Sequence, residues 1–539
     1  MKLTENDIGI NKEEWLSKGY QLASFDRDAM IEKTKANPTW IHFGAGNIFR
    51  AYQASLAQRL LNQGRADTGI IAVDGFDYEI IQKNYWPHDN LSVLVTLKSS
   101  GTIEKTVIES IAESCILDSH NEEQYARLKE IFCKDSLQMA TFTITEKGYM
   151  LADAKGNLMP AVEADYANGP AHPESYIGKV VSLLYARYQS GKKPIAMVST
   201  DNCSHNGDKL FGAVDAYAKK WVENKLVEEG FAEYIENPKM VSFPWTMIDK
   251  ITPRPDKSVE TLLEKDGLDL EPVITSKNTY VAPFVNAEES EYLVIEDDFP
   301  NGHPALDAVG AYFTTRDTVN KVEKMKVCTC LNPLHTALAV FGCLLGYQSI
   351  YKEMNDEDLV KLVNEIGYTE GLPVVVDPGI LNPKEFIDTV LQVRIPNPFM
   401  PDTPQRIATD TSQKLSVRYG ETIKAYLAKG MDVHKLTGIM IVQAGWLRYL
   451  MGVDDSGNTF EPSPDPLYRE IVPYVADFKV GTPVTAEEVK AKLLPVLKNK
   501  VIYGVDLEEV GMADEVCENF ARMISSHGAI RELLHSYQV

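Results

Sequence analysis

Short apolar runs in the first part of the chain follow one another in the order strand, turn, helix, strand. Residues 38–46 (PTWIHFGAG) predict a short strand that leads into a glycine turn, and residues 69–73 (GIIAV) predict a second strand that Asp74 follows. Between these strands an apolar residue recurs at every fourth position, which predicts a helix that ends at Gly64. The apolar stripe of that helix comprises Ile48, Tyr52, Leu56 and Leu60. Together these elements predict a βαβ unit.

The same alternation continues through the first half of the chain and then gives way to helical periodicity. Further strands are predicted at 91–97, 139–145 and 193–200, each with helical stretches nearby, which favours a doubly wound parallel sheet. The later helical stretches, separated by Pro-rich segments, are 333–350, 357–367, 412–429, 434–451 and 513–537. We therefore predict an α/β protein, with a Rossmann-like doubly wound sheet domain over residues 1–300 and a mainly α-helical domain over residues 301–539.

The length, charge and cysteine content of the chain narrow the classes of partner. With 539 residues it is long enough for two or more domains, and its formal net charge of −23 argues against nucleic acid or an anionic membrane. No run of about 18 apolar residues predicts a transmembrane helix, and the N-terminal segment lacks the apolar core of a signal peptide. Seven cysteines, an odd number, indicate reduced thiols. We therefore expect a cytoplasmic protein that binds small molecules; monomer and small homo-oligomer both stay open.

The glycine turn has features of a dinucleotide-binding loop. Gly44 permits a tight turn and Gly46 allows a pyrophosphate to approach, while the next helix offers free N–H groups and the positive end of its dipole. Asp74 is placed to bond ribose hydroxyls and to repel a 2′-phosphate, which favours NAD over NADP, with Asp77 as the alternative acid. Phe49 occupies the position of the motif's third glycine. A strand–turn–helix that binds no nucleotide is therefore the competing interpretation.

The segment 326–347 (KVCTCLNPLHTALAVFGCLLGY) is almost entirely apolar, yet it contains Lys326, Asn332 and His335. Such groups need partners, because an unpartnered buried polar group costs about 1–3 kcal/mol. Either they are structural, as a helix cap, a hydrogen-bonded core histidine and a lysine that reaches the surface, or they form a proton-transfer site. The cysteines of this segment fit no standard zinc spacing, so no metal site is predicted.

Several sequence blocks follow one another in an order that is known from one enzyme family. The turn region GAGNIFRAYQAS resembles a G-x-G-x-F-x-R-A-H block, with Ile48 and Tyr52 as departures. The further blocks are TEKGY (145–149), STDNCSHNGD (199–208), IDKITP (248–253), IEDDFPNGHP (295–304) and RIATDTSQK (406–414). In this order they resemble the polyol-specific long-chain dehydrogenases and reductases, the mannitol dehydrogenase family. A series of this kind is far more specific than any single block.

The resemblance implies an NAD-dependent oxidoreductase that transfers hydride at a secondary alcohol or ketone without a metal. Lys326 would be the general base in oxidation and the general acid in reduction. The carboxamides of Asn202 and Asn332 would stabilise the developing alkoxide, although Asn202 could instead form an Asx turn, and His335 would position a neighbouring hydroxyl. The cofactor-binding residues that the resemblance implies are Gly44, Gly46, Asn47, Ile48, Asp74, Glu146, Asp201 and Asp249.

The spacing between Lys326 and Asn332 exceeds that of the family pattern by one residue. At about 100° per residue, this insertion would turn Lys326 away from the face of a straight α-helix that carries Asn332 and His335. A π-bulge would restore the position of Lys326. Alternatively, Asn332 caps a helix in which Pro333 is the first residue, so that Lys326 precedes that helix. Lys324 is the alternative catalytic amine.

A sugar-acid substrate would need cations for its carboxylate, preferably a bidentate arginine. The candidates are Arg394, Arg406, Lys414 and Lys147. By resemblance Arg406 and Lys414 are substrate contacts; otherwise they are solvated helix charges. The blocks at 328–347 and 394–406 most resemble the branch that interconverts D-mannonate and D-fructuronate, with tagaturonate reduction and mannitol 2-dehydrogenation as alternatives. A nucleotide-binding regulator that kept the fold is the non-catalytic alternative.

Overall fold

The computed structural model describes residues 1–537, and the chain divides into two compact units. The first comprises residues 1–98 and 102–320, and the second comprises residues 99–101 and the chain from 321 onward. The first unit combines a parallel sheet with helices, and the second is almost wholly helical. The predicted fold class is therefore confirmed.

A six-stranded, all-parallel sheet forms the centre of the first unit. Its strands in chain order are β1 (Trp40–Phe43), β2 (Ile70–Asp74), β3 (Ile111–Ile116), β4 (Met139–Phe142), β5 (Ile195–Ser199) and β6 (Val241–Ser242). In space they follow the order β3-β2-β1-β4-β5-β6. The order reverses between β1 and β4, and ligands of such sheets bind beyond the carboxyl ends of the strands at that point. The glycine turn follows β1 and so lies at this switch point.

Both faces of the sheet are buried, as a parallel sheet flanked by helices requires. In β1, Ile41 and Phe43 belong to one apolar cluster, whereas Trp40 belongs to the cluster on the opposite face. Phe49, at the third-glycine position, stacks on the buried ring of His42 with centroids 4.4 Å apart. The strand that carries the glycine turn is therefore held firmly from both sides.

The predicted strand at 91–97 exists but does not belong to the central sheet. Residues Ser92–Leu97 pair antiparallel with Ile103–Ile108 and parallel with Phe284–Glu288, in a four-stranded sheet that Tyr20–Gln21 completes. The expectation that this run extends the doubly wound sheet is wrong, because an apolar run indicates a strand without indicating its partner. Two smaller sheets comprise Thr246–Asp249 with Tyr292–Glu296 and Tyr312–Thr314, and Val273–Ile274 with Tyr280–Val281.

The helix after the glycine turn consists of a π-helical turn, Phe49–Gln53, followed by α1, Ala54–Asn62. Gly64, with a φ of +65°, lies just beyond its end, as predicted. The other α-helices of this unit are Glu5–Ile10, Lys12–Ser17, Arg27–Ala36, Tyr78–Ile80, Glu122–Phe132, Pro160–Asn168, Tyr176–Gln189, Asn206–Glu223, Glu229–Glu236 and Lys257–Lys265. Its remaining short helical segments are the π turn Ile81–Tyr85 and the 3₁₀ turns Trp86–His88, Glu146–Tyr149 and Leu306–Val309.

The second unit is built around two apolar helices, α3 (Asn332–Leu344) and α4 (Thr437–Tyr449), and is entered through α2 (Arg316–Met325). A Cβ atom at Gly445 would lie 2.6 Å from the ring of Phe341, so glycine permits the close packing of α3 and α4. The other α-helices are Ile350–Glu353, Glu357–Asn364, Pro383–Thr389, Pro404–Ile407, Glu421–Ala428, Tyr468–Val475, Ala486–Leu497, Lys500–Tyr503, Ala513–Ile524 and Ala529–Ser536. The π turns are Lys326–Cys330, Glu365–Gly371, Val390–Arg394 and Ser416–Gly420, and the 3₁₀ turns are Leu372–Val374, Thr411–Gln413 and Val433–Lys435.

One continuous helical run, Arg316–Leu344, is long and apolar enough to span a membrane by length and composition alone. Its most apolar window is, however, 72% buried inside the protein. A helix buried by its own protein is what the core of a soluble protein contains, and the run also carries the buried amine of Lys326. The run is therefore a core helix.

Candidate functional site

Gly44 forms the turn after β1, and a side chain would not fit there. Its φ of +111° is a left-handed conformation that other residues rarely adopt. A Cβ atom at Gly44 would lie 2.8 Å from Thr143 Oγ1 and nearer still to the Thr143 carbonyl oxygen. The Gly44 N–H donates to the Val73 carbonyl at 2.8 Å, so the turn is also held to β2. Glycine is required here for conformational and steric reasons.

Gly46 differs, because no protein atom occupies the space beside it. A Cβ atom added at Gly46 would meet nothing within 4 Å. The helical segment that begins at Asn47 presents its first N–H groups at this point. Asn47 Oδ1 accepts a hydrogen bond from Arg50 Nη2 at 3.0 Å, and Ile48 is half-buried. The turn is therefore an open cradle of backbone N–H groups that fits a pyrophosphate.

The carboxylate of Asp74 is directed at the protein's own backbone. Oδ2 accepts the Ala45 N–H at 3.2 Å, and Oδ1 accepts the N–H groups of Phe76 and Asp77 at 2.9 and 2.8 Å. Burial raises the pKa of Asp74 in spite of these hydrogen bonds. The alternative acid, Asp77, is also buried and accepts the hydroxyl of Thr275 at 2.6 Å. Asp74 thus fixes the glycine turn to the loop after β2, a role that its place in the sequence did not indicate.

A cavity of about 510 Å³ opens beside this loop. Its walls include the exposed ring of Phe76, the phenol of Tyr78 and two cations, Lys179 and Lys277. Lys179 Nζ donates to the Tyr78 hydroxyl at 2.9 Å, and Lys277 Nζ lies 4.1 Å from the centroid of the Phe76 ring. Aromatic walls with a few polar groups suit a nucleoside, so the cavity is a candidate site for the adenosine part of a dinucleotide.

Asp201 ties the loop after β4 to the end of β5. Its carboxylate accepts the N–H groups of Ile144 and Thr145 at 3.1 and 2.9 Å and the hydroxyl of Tyr149 at 2.5 Å. Thr145 has a φ of +64°, which is rare for a β-branched residue and marks a strained backbone. Burial raises the pKa of Asp201. Asp201 therefore holds in place a strained loop whose 3₁₀ turn begins at Glu146.

The other predicted residues of the first unit are Glu146, Asn202 and Asp249. Glu146 is exposed and forms an ion pair with Lys209 at 2.6 Å. Asn202 lies exposed in the bend after β5, where the buried carboxamide of Asn206 makes hydrogen bonds that hold the bend. Asp249 is buried at the end of its strand. These side chains are thus placed at strand ends and loops, where ligands of a parallel sheet bind.

Lys326 begins the π-helical turn Lys326–Cys330 that joins α2 to α3. The Leu331 N–H donates to the Lys326 carbonyl at 3.1 Å, one residue further along than an α-helical bond spans. The extra residue between Lys326 and Asn332 is absorbed in this turn, so the π-bulge hypothesis is confirmed. Lys326 is only 5% exposed, whereas Lys324 is exposed. Burial of this kind favours Lys326 over Lys324 as the amine of a proton-transfer site.

Asn332 is the first residue of α3, and Leu331 occupies the cap position. The alternative in which Asn332 caps the helix is wrong, because the π turn ends at Cys330 and helical conformation resumes at Asn332 after one bend residue. The side-chain oxygen Oδ1 of Asn332 is buried and accepts no hydrogen bond from residues 1–537. Leaving a buried acceptor unsatisfied costs about 1–3 kcal/mol, so this oxygen is a candidate acceptor for a ligand donor.

His335, three residues further along α3, is kept neutral by its surroundings. Burial, reinforced by the positive charges of Arg418 and three other cations, lowers the pKa of His335 to about 3. His335 Nε2 lies 3.7 Å from Asp402 Oδ2, which is too far for a hydrogen bond. A neutral imidazole has one donor and one acceptor nitrogen, so His335 can position a hydroxyl of a ligand.

The structure brings the predicted substrate cations Arg394, Arg406 and Lys414 together around His335. Arg406 forms an ion pair with Asp402. Lys414 Nζ donates to the carbonyl of Ile407 at 3.3 Å and to that of Thr409. Arg394 is buried at the end of a π turn. Lys147, the remaining candidate, lies exposed in the 3₁₀ turn of the first unit.

Arg418 is a fourth cation near His335 that the sequence did not single out. It lies in the π turn Ser416–Gly420, and its Nη1 donates to Oγ1 of Thr336, the residue after His335. Its position four residues after Lys414 was the available signal, because such residues share a helix face. Lys326, Arg394 and Arg418 all lie in π turns, a conformation often found at functional sites. Arg394, Arg406, Lys414 and Arg418 are called the basic cluster below.

The described part of the chain, residues 1–537, holds no group of three or more His, Cys, Asp or Glu side chains arranged to bind a metal ion. All seven cysteines are free thiols. Burial raises the pKa of Cys330 and of Cys343 to about 12, so these thiols pack as apolar groups.

Residues 38–308 match the family model of the mannitol dehydrogenase Rossmann domain, and residues 318–524 match that of the mannitol dehydrogenase C-terminal domain. The chain is 49% identical over 524 residues to D-mannonate oxidoreductase of Thermotoga maritima, with 96% of each chain covered. It is 29% identical to D-mannonate oxidoreductase of Escherichia coli, over 85% of this chain and 90% of the relative. The ternary complex of Pseudomonas fluorescens mannitol 2-dehydrogenase with NAD and D-mannitol has a similar fold, with a TM-score of 0.67, 24% identity and 100% of both chains covered.

Proposed function

The chain belongs to the mannitol dehydrogenase family of oxidoreductases, and we propose that it interconverts D-mannonate and D-fructuronate with NAD as its cofactor. The observation that carries the choice of substrate is the basic cluster around the neutral His335, because it suits an anionic sugar acid better than a neutral polyol. The relative that shares 49% of its residues is named for D-mannonate, which supports the same choice.

The residues of the first unit fit a dinucleotide. Gly44 and Gly46, with the N–H groups of the segment that begins at Asn47, would hold the pyrophosphate, since the space beside Gly46 is open. The cavity beside Phe76 would take the adenosine. Asp74 would act by fixing the turn, because its carboxylate already accepts three backbone N–H groups. When bound, NAD supplies the hydride acceptor in oxidation, and NADH supplies the hydride donor in reduction.

Lys326 would move the proton of the reaction. In oxidation the C–H and O–H bonds of the alcohol break, the hydride leaves the carbon, and the Lys326 amine accepts the hydroxyl proton; in reduction Lys326 returns it. The carboxamide of Asn332, which belongs to the same unit as Lys326, would donate to the developing alkoxide. The orphaned Oδ1 of Asn332 and the neutral imidazole of His335 would each accept a hydrogen bond from a substrate hydroxyl.

The test follows NADH absorbance with the purified protein and a panel of D-fructuronate, D-tagaturonate and D-fructose. The wild-type protein is compared with Lys326→Ala and with Lys324→Ala, a matched control that removes an exposed lysine two residues earlier. We expect the highest rate with D-fructuronate, a loss of about 100- to 10,000-fold in Lys326→Ala, and a rate near wild type in Lys324→Ala.

Each other result has its own meaning. A preference for D-tagaturonate or D-fructose would replace the proposed substrate and leave Lys326 as the base. Loss of activity in Lys324→Ala alone would move the proton transfer to Lys324. NADH binding without turnover of any of the three ketoses would contradict the proposed reaction.

A further inference from the structure

The guanidinium of Arg418 forms no ion pair with a carboxylate of residues 1–537. It donates through Nη1 to Thr336 Oγ1. Burial lowers the pKa of Arg418 to about 10, so the guanidinium still carries its charge at neutral pH. The fully buried Arg187, which also forms no ion pair, donates to five backbone carbonyls, whereas Arg418 donates to a single hydroxyl.

Two acids close to the basic cluster, Asp402 and Asp465, are already engaged. Asp402 is paired with Arg406 and also faces His335. Asp465, whose charge acts on Lys414, accepts the N–H and hydroxyl of Ser412 and the N–H of a neighbouring residue. Neither carboxylate forms an ion pair with Arg418, and neither does Asp410, the other acid whose charge acts on Lys414.

Two hydrogen bonds hold Arg418 and its neighbour Tyr419 beside the first turns of α3. The hydroxyl of Tyr419, the next residue, donates to the Pro333 carbonyl at 2.6 Å. Thr336, which accepts from Arg418, directly follows His335 on α3. The guanidinium is thus held beside the first turns of α3, the helix that carries the orphaned Asn332 Oδ1 and the neutral imidazole of His335.

Two other cations of the basic cluster, Arg406 and Lys414, already use donors on protein groups. The Arg406 guanidinium is paired with Asp402, and the Lys414 amine donates to two backbone carbonyls. Arg418 uses one of its five N–H donors on Thr336, so its remaining donors can form the two parallel hydrogen bonds that a carboxylate accepts.

We propose that Arg418 binds the carboxylate of the sugar-acid substrate, and that the Thr336 hydroxyl positions its guanidinium. This assignment rests on the proposed function, and it makes Arg418 the residue that distinguishes a sugar acid from a neutral sugar of the same carbon skeleton. Arg406 and Lys414 then remain for the hydroxyl groups of either substrate.

The experiment measures kcat/KM for D-fructuronate and for D-fructose in the wild-type protein, Arg418→Gln and Arg418→Lys. Arg522→Gln is the matched control, because Arg522 is an exposed arginine of the second unit whose guanidinium also donates to a hydroxyl, that of Ser536 at 3.2 Å. We expect the ratio of the two kcat/KM values to fall roughly 10- to 100-fold in Arg418→Gln, the effect of one charge-assisted bidentate pair. Arg418→Lys should recover part of that ratio, and Arg522→Gln should leave it unchanged.

Inhibition by D-mannonate and by D-mannitol gives a second readout that does not depend on the rate with D-fructose. Arg418→Gln should weaken inhibition by the acid more than inhibition by the polyol, while thermal unfolding reports whether the variant is folded. If Arg418→Gln is folded and lowers kcat/KM equally for D-fructuronate and for D-fructose, the carboxylate assignment is overturned and the proposed function stands. If the wild-type protein does not reduce D-fructuronate, the proposed function itself fails.

Discussion

The two glycines of the turn after β1 allow one substitution to be made at two positions with opposite expected results. In Gly44→Ala the methyl group would require a left-handed φ and would press on the Thr143 backbone. The conformation costs about 1–3 kcal/mol and the overpacking about as much again, so the free energy of unfolding should fall by roughly 2–6 kcal/mol. In Gly46→Ala the methyl group would meet no protein atom, so the same quantity should change by less than about 1 kcal/mol.

The affinity for NADH should show the opposite pattern, with the larger change in Gly46→Ala. The methyl group of Gly46→Ala would enter the space that the pyrophosphate needs, so the Kd for NADH should rise at least about tenfold, or about 1.4 kcal/mol. The assays are urea unfolding followed by tryptophan fluorescence, and titration of NADH fluorescence. Wild-type affinity for NADH in Gly46→Ala would refute the nucleotide role of the turn. Wild-type stability in Gly44→Ala would refute the steric argument.

Two further predictions concern buried carboxyl groups. Asp201→Asn leaves one acceptor oxygen for three donors, so the free energy of unfolding in urea should fall by about 2–4 kcal/mol. The control is Asp153→Asn, at an exposed turn aspartate that also accepts backbone N–H groups, where the fall should be less than about 1 kcal/mol. Equal losses in the two variants would count against the role of Asp201. Glu353 is buried with both carboxyl oxygens unpartnered within residues 1–537, and burial raises its pKa from 4.5 to about 9. The folded state favours the protonated form of Glu353, so the contribution of Glu353 to stability is complete below about pH 4.5. This contribution is lost as the pH rises from about 4.5 to about 9, by up to about 1.4 kcal/mol per pH unit. Between about pH 6 and about pH 8 the wild-type protein should therefore lose stability relative to Glu353→Gln, and parallel pH profiles would contradict this.

The local part of the fold was predictable because its signals lie within short stretches. The strand, glycine turn, helix and second strand from β1 to β2 all appear where the periodicity placed them. The sheet to which Ser92–Leu97 belongs was not predictable, because one of its partners, Phe284–Glu288, is far away in the chain. Strand pairing is decided by packing between distant segments, and the periodicity of a single sequence does not indicate which segments pack together.

The candidate site shows the same limit at the level of side chains. The sequence revealed the extra residue after Lys326, but it left two backbone routes open, and the structure has the π turn. Asp74 is the last residue of β2, yet the sequence does not show that its carboxylate accepts three backbone N–H groups, because these come from two separate loops. The sequence alone does not distinguish Arg418 from other arginines, because it does not show which partners each guanidinium has in the fold.

The π turns at Lys326, Arg394 and Arg418 bear on how related chains should be aligned. A π turn holds one residue more than the α-helical turn it replaces. A single-residue insertion or deletion at such a turn can therefore leave the orientation of the flanking side chains unchanged. An alignment that requires a fixed number of residues between Lys326 and Asn332 would read a one-residue gap as the loss of the proposed catalytic lysine. Residues of relatives that differ in length should therefore be matched by their angular position around the helix axis.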